Sequence, residues 1–165
     1  MRIRLARPED LDAAGEVTVA ANAAFRSGPD DPYVERLRDA AARAEQAELW
    51  VAADEATGEV LGTVTTCPPG SPWRELARDD EGEFRMLAVT PGAQRRGVGD
   101  ALVRHVLAHY RDAGARAVVL SSLVEQTAAH RLYARHGFTR LPERDWDPVP
   151  GVHLIAFSTD LRGAP

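Results

Sequence analysis

Gly97 and Gly99 stand between a strand-like segment and an amphipathic helix, and this arrangement constrains the fold more than any other feature of the chain. Upstream, Glu83-Phe84-Arg85-Met86-Leu87-Ala88-Val89 reads as a strand closed by Thr90-Pro91-Gly92. Downstream, Leu102, Val103, Val106, Leu107 and Tyr110 form one apolar arc of a helix, with Arg104, Arg111 and Asp112 opposite. A strand, a glycine-spaced turn and a helix gather free backbone N–H groups and a helix N-terminus around one small space, which suits a phosphate. Glycine lets the backbone approach such a ligand closely because no side chain intervenes. Other phosphate loops fit poorly. The chain has no G-x-x-x-x-G-K-S/T, and Leu102 breaks a G-x-G-x-x-G. A plain tight turn entering a helix would also use both glycines.

The stretch Gln94-Arg95-Arg96-Gly97-Val98-Gly99 resembles the acetyl-coenzyme A site of the GNAT superfamily of N-acetyltransferases. That signature is Gln or Arg, two residues, Gly, one residue, then Gly or Ala. A second block, Ala129-His130-Arg131-Leu132-Tyr133-Ala134-Arg135-His136-Gly137-Phe138, is similar to the family's A-x-x-L-Y-x-x-x-G-F helix end. The two blocks stand in the family's order, with a strand candidate at Ala117–Leu120 between them, and cover roughly Glu83 to Phe138.

The resemblance implies an α/β (α+β) fold: a mixed, mostly antiparallel central sheet flanked by helices on both faces. Local patterns agree with the order β-α-α-β-β-β-α-β-α-β-β. A strand at Ile3 and Leu5 precedes a helix opened by Pro8-Glu9-Asp10 and running to about Phe25, then a helix from about Tyr33 to Ala47. Leu49–Ala53 and Val60–Thr66 read as a hairpin around Asp54–Gly58. Pro68-Pro69-Gly70-Ser71-Pro72 begins a surface excursion through Gly82. A helix from about Gln126 to His136 and strands near Phe138–Leu141 and Val152–Ser158 close the chain. At 165 residues a single domain, 1–165, is expected.

By resemblance, Gln94, Arg95, Arg96, Gly97, Val98, Gly99 and Asp100 would hold the pyrophosphate of acetyl-CoA. The backbones of Leu87, Ala88 and Val89 would pair with the pantetheine arm, as an added strand would. Gln126 stands where many members carry Asn, and its longer amide would reach the same arm. Acetyl transfer to an amine needs a base, because an alkylammonium of pKa about 10.4 is mostly charged near neutrality, and the departing thiolate gains from an acid. The resemblance puts Glu83 in the base position, beside a second reading as a solvated acid ending the Asp79-Asp80-Glu81 run. Arg85 should share its strand face. Tyr133 is the general-acid candidate, with a backbone-bonded helix tyrosine as the other reading.

The acceptor would be a primary amine of a small molecule or peptide. Phe25, Tyr33, Trp73, Glu143, Asp145, Trp146 and Asp147 lie where the family builds that pocket, and aromatics with carboxylates suit a cationic amine. Direct attack in a ternary complex is the expected mechanism; a non-catalytic acyl-CoA sensor or scaffold on the same fold is the alternative. The net charge of −5 and the lack of a basic tract argue against nucleic-acid binding. No apolar run reaches membrane-spanning length, so no membrane partner is expected and the cytoplasm is the default. His105 and His109 read as a solvated helix flank rather than a metal pair, and no metal is expected. Cys67, the single cysteine, lacks a local base. A homodimer is left open.

Overall fold

Strands that alternate between two buried faces build the sheet that carries the site. In the computed structural model, which describes residues 1–163, β1 (Arg2–Leu5), β2 (Glu48–Ala53), β3 (Val60–Thr66), β4 (Glu81–Val89), β5 (Ala117–Leu123), β6 (Thr139–Arg140), β7 (Trp146–Val149) and β8 (Val152–Asp160) join one sheet. Its order is β1-β2-β3-β4-β5-β8-β6, with β7 paired to β8. Every pairing is antiparallel except β4 with β5. Residues 164 and 165 of the expected 1–165 domain lie outside the described residues.

On one face, α1 (Leu11–Asn22) and α3 (Ala40–Gln46) contribute Ala14, Val17 and Ala40 to a cluster with Leu49 and Val51 of β2. On the other, α4 (Val98–Asp112) and α5 (Thr127–Arg135) bring Leu102, Val106 and Tyr133 against Phe84 and Leu120. This is the mixed, mostly antiparallel sheet with two-sided helical cover that the sequence implied. No described helix is long and apolar enough to cross a membrane.

Four details differ from the sequence reading. The helix expected from Tyr33 to Ala47 is two, α2 (Pro32–Arg38) and α3, because Asp39 leaves helical geometry (ψ 71°) and its carboxylate caps the Ala42 N–H at 2.9 Å. The carbonyls of Arg36 and Leu37 exposed by that break accept from the fully buried Arg43, at 3.3 and 2.7 Å. Arg43 also donates to Thr18 Oγ1 at 3.2 Å, tying α3 to α1. Burial lowers its pKa to about 10, so it stays charged at neutral pH.

The first helix ends at Asn22, and a 3-10 turn carries the chain through Phe25. β7 was not anticipated, since Pro148 interrupts its pattern. Finally, His105 and His109 do not form a solvated flank. Both rings lie edge-on to Trp50, at centroid distances of 4.3 and 5.3 Å, and His109 meets Glu48 at 2.9 Å.

Candidate active site

The pivotal geometry is a parting of two strands. β4 pairs with β5 only through Glu81, Gly82 and Glu83, opposite Ala117, Val118 and Val119. Beyond that point β5 stays bonded to β8 along its whole length, whereas β4 follows β3. The start of β4 is held firmly. The Tyr110 hydroxyl of α4 donates to the Glu83 carbonyl at 2.6 Å and accepts from the Cys67 N–H at 3.1 Å. Gly82 lies directly against the Tyr110 ring, where any Cβ would collide. Burial pushes the Cys67 thiol up to about 12, so it is no nucleophile near neutrality.

A bulge deepens the parting. Met86 and Leu87 together oppose Val64 of β3, since Thr63 pairs with Ala88 and Thr65 with Arg85. Met86 sits in the left-handed region at φ 54°, an uncommon conformation for a residue with a side chain. Buried Arg43 donates to its Sδ at 3.4 Å, so the bulge is fixed from the helical side. Because the Thr90 N–H turns back to the Leu61 carbonyl, strand alternation aims the N–H groups of Leu87 and Val89 at the gap. Ala88 is buried with its side chain on the α1 face.

At the end of β4 the chain turns into α4. Arg95 (φ 61°) and Gly97 (φ 82°) both enter the left-handed region, and such alternation makes successive N–H groups converge. Among the described residues, the N–H groups of Arg95, Arg96, Gly97, Val98, Gly99 and Asp100 have no acceptor. The space beside Gly97 is open to 4 Å, whereas a Cβ at Gly99 would press on Leu132 at 3.1 Å. Gln94, Arg95 and Arg96 are exposed. Asp100 is engaged elsewhere, by Arg135 at 3.1 Å and His136 at 3.0 Å. Unpaired N–H groups, an unopposed helix terminus and two exposed cations fit a pyrophosphate.

The gap opens into a cleft of about 610 Å³. Leu87, Gln126 and Tyr133 are among the residues that line it. The Tyr133 ring is buried between Phe84, Phe138 and Phe157, and burial raises its phenol pKa. Its hydroxyl makes no hydrogen bond among the described residues. Gln126 accepts from the Leu123 N–H (3.0 Å) and the Ser122 hydroxyl (2.8 Å), while its amide nitrogen donates to Asn22 at 3.3 Å. It therefore joins α5, β5 and α1 at the cleft wall.

Glu83 is placed differently from Tyr133. It is 1% exposed and does not line the cleft. Its carboxylate accepts from three consecutive backbone amides, Glu75 (3.1 and 3.0 Å), Leu76 (2.9 Å) and Ala77 (3.0 Å). Two acids do line the cleft, Asp31, which caps α2, and Glu75, which lies 2.7 Å from Arg85. Burial raises the Glu75 carboxyl above its ordinary value against the opposing pull of Arg85, and the nearby Glu83 charge adds to the rise. Arg85 faces Glu75 rather than Glu83, and also donates to the Trp73 carbonyl at 3.2 Å.

Of the residues expected to meet an acceptor, Tyr33 alone lines this cleft. Its hydroxyl accepts from Arg85 at 3.4 Å. Trp73 is 3% exposed, donates its indole N–H to Gln46 at 3.0 Å and carries Arg36 on its face. Asp145 is spent on Arg140 (2.7 Å) and the Ala156 N–H (2.8 Å), Asp147 meets His153 at 2.6 Å, and Phe25, Glu143 and Trp146 lie off the lining. Sequence reasoning missed Arg26, Arg36 and Glu75. Glu75 sits in the irregular segment after Pro72, where no periodicity points a side chain anywhere.

The description "Acetyltransferase (GNAT) family" matches residues 16–138. The chain belongs to this family. It is 39% identical over 148 residues to the mycothiol acetyltransferase of Cellulomonas flavigena, an alignment covering 81% of this chain and 42% of that protein. The chain thus spans about two fifths of that relative's length. Among solved structures, it matches a GNAT-family acetyltransferase of Staphylococcus aureus Mu50 at TM-score 0.73 and 14% identity, over 98% of this chain and 99% of the other. It also matches yncA of Salmonella typhimurium, solved with its cofactor acetyl-CoA, at TM-score 0.68 and 21% identity, over 100% and 97%. These structural likenesses concern the fold.

Proposed function

We propose that this GNAT domain transfers an acetyl group from acetyl-CoA to a primary amine by direct attack in a ternary complex. The observation that carries the reading is the parting of β4 from β5 between an amide-lined turn and a cleft. The N–H groups of Arg95 to Asp100, with Arg95 and Arg96, would hold the pyrophosphate, and the free edge of β4 at Leu87 and Val89 the pantetheine. Gln126 lines the same cleft, but its carbonyl oxygen is already committed to β5. When bound, acetyl-CoA supplies an activated acyl group as a thioester. The name of the Cellulomonas relative supports acetyl as that group.

Each proton then has a place to go. The incoming ammonium loses one to Glu75, the acid in the cleft whose raised pKa makes it the better acceptor. A backbone N–H at the Met86–Leu87 bulge would stabilise the carbonyl oxygen as charge develops. Tyr133, kept protonated by its raised pKa, gives a proton to the departing thiolate, and the second proton that the nitrogen sheds on becoming an amide restores the phenol through solvent. Glu83 acts one step removed, by fixing the backbone of the loop that presents Glu75. Attack by the amine nitrogen and loss of the C–S bond need no covalent enzyme intermediate.

Thiol release from acetyl-CoA, measured against polyamines, aminoglycosides, amino acids and peptide N-termini, tests this reading. Release with at least one amine is expected. Tyr133→Phe should lower kcat while leaving CoA affinity largely unchanged. CoA binding without release across the panel would favour a sensor, and failure to bind CoA would refute both.

A further inference from the structure

The charge of the cleft lining is opposite to what a purely cationic acceptor would require. Three guanidinium groups line it, Arg26, Arg36 and Arg85, against two carboxylates, Asp31 and Glu75. Each carboxylate already has a protein partner, although Glu75 uses only its Oε1. Glu75 is paired with Arg85 at 2.7 Å. Asp31 caps α2, accepting from the Tyr33 N–H at 2.9 Å and from the Ser27 N–H and hydroxyl at 3.3 Å.

Two of the arginines are left short of partners. Arg26 is 14% exposed, lies 5.0 Å over the Tyr33 ring, and comes no nearer than 3.9 Å to Asp31. Its Nε is buried without an acceptor. Arg36 lies 4.2 Å over the Trp73 ring, and among the described residues no carboxylate approaches it within 4.0 Å. A stacked guanidinium has its plane fixed and its N–H edges free, the arrangement that receives an oxyanion. The buried Nε of Arg26 otherwise has to hold ordered water or a ligand acceptor, whereas Arg36 is exposed and its free edges meet solvent until an anion displaces it. Tyr33 stands between Arg26 and Arg85, so the cations share one wall with Glu75. The β7–β8 hairpin adds an apolar lining at Val149, Val152 and Leu154.

We propose that the acceptor is an amine bearing an oxyanion a few bonds from its nitrogen, a small amino acid or close analogue, held by Arg26 and Arg36 while its ammonium faces Glu75. This rests on the acetyltransferase reading of the same cleft. The apolar lining would take the acceptor's side chain. The Trp73 position, expected to meet the amine, would serve instead as the platform that orients Arg36.

The test uses matched pairs: common α-amino acids with the amines left by removing the carboxylate, and the aminophosphonic acids that replace it. Binding to the CoA-loaded protein and thiol release from acetyl-CoA are both measured, for the native chain and for Arg26→Met and Arg36→Met. The oxyanion-bearing member of a pair should be favoured by about ten-fold to a hundred-fold, in keeping with one or two charge-assisted hydrogen bonds. That preference should collapse in both variants with CoA affinity unchanged. A preference shared by carboxylates and phosphonates assigns the site to oxyanions generally, and one confined to carboxylates assigns it to amino acids. Equal or better use of the anion-free amines, with turnover present, overturns the proposal and leaves the acetyltransferase reading intact. So does a preference that survives both substitutions, or failure of every compound to bind. Binding of the oxyanion members without any thiol release upholds the anion site and overturns the acetyltransferase reading.

Discussion

Glu75 and Glu83 are eight residues apart, and in the proposed mechanism they would divide two jobs that one acid was expected to do. Glu83 is buried on the strand and saturated by amides; Glu75 reaches the cleft and keeps a raised pKa. A base must lose its proton before it can accept one, so activity should rise with pH through the Glu75 titration, above the ordinary carboxylate value of 4.5. Glu75→Gln is expected to lower kcat/KM by about 10²- to 10⁴-fold and to abolish that acidic limb. Steady-state rates across pH check this, and an unchanged limb would assign it to another group. The place of Tyr133 on the cleft was legible in sequence because its block carries several fixed neighbours. That of Glu75 was not, because an irregular loop has no period from which a side-chain direction can be read.

At the level of elements, the parting of β4 from β5 depends on how firmly the first three residues of β4 are anchored. Glu81 is buried at that point, between Arg144 (2.6 Å) and Arg116 (2.6 Å), and accepts from the Arg78 N–H at 2.9 Å. Burial alone would raise its pKa, but the Arg144 and Arg78 hydrogen bonds and both arginine charges outweigh it and pull the value to about 2. A folded-state value depressed below the ordinary 4.5 means a contribution to stability that is full above that pH and fades as pH falls towards about 2. Arg144→Met should cost about 3 kcal/mol at neutral pH, with the deficit shrinking in acid as Glu81 protonates. Denaturant melts at neutral and acidic pH measure it; a deficit independent of pH would contradict the pairing. Arg144 lies in the segment between β6 and β7, far from β4 in sequence, and nothing local marks it as a partner for Glu81. The same limit explains the missed break at Asp39: the helical pattern continues through it, and the Asp39 cap together with buried Arg43 makes the break affordable.

Across the whole molecule, the two faces of the sheet carry unequal parts of the site. The α4–α5 face supplies the amide turn, Gln126 and Tyr133, whereas α1, the loop after it, α2 and the loop before β4 supply Asn22, Arg26, Tyr33, Arg36 and Glu75. The turn into α4 was readable because a converging run of backbone N–H groups needs fixed backbone geometry, which glycine spacing records. The part from α1, α2 and the loops was not, because an acceptor pocket is assembled from side chains on separate elements, and only their packing shows which cations lack partners. The coenzyme placement is tested most directly by residue-resolved amide hydrogen exchange with and without saturating CoA. Strong new protection is predicted at Leu87 and Val89 and from Arg95 to Asp100, where the free amides lie. Unchanged exchange at those amides, with CoA bound and protection appearing elsewhere, would contradict it.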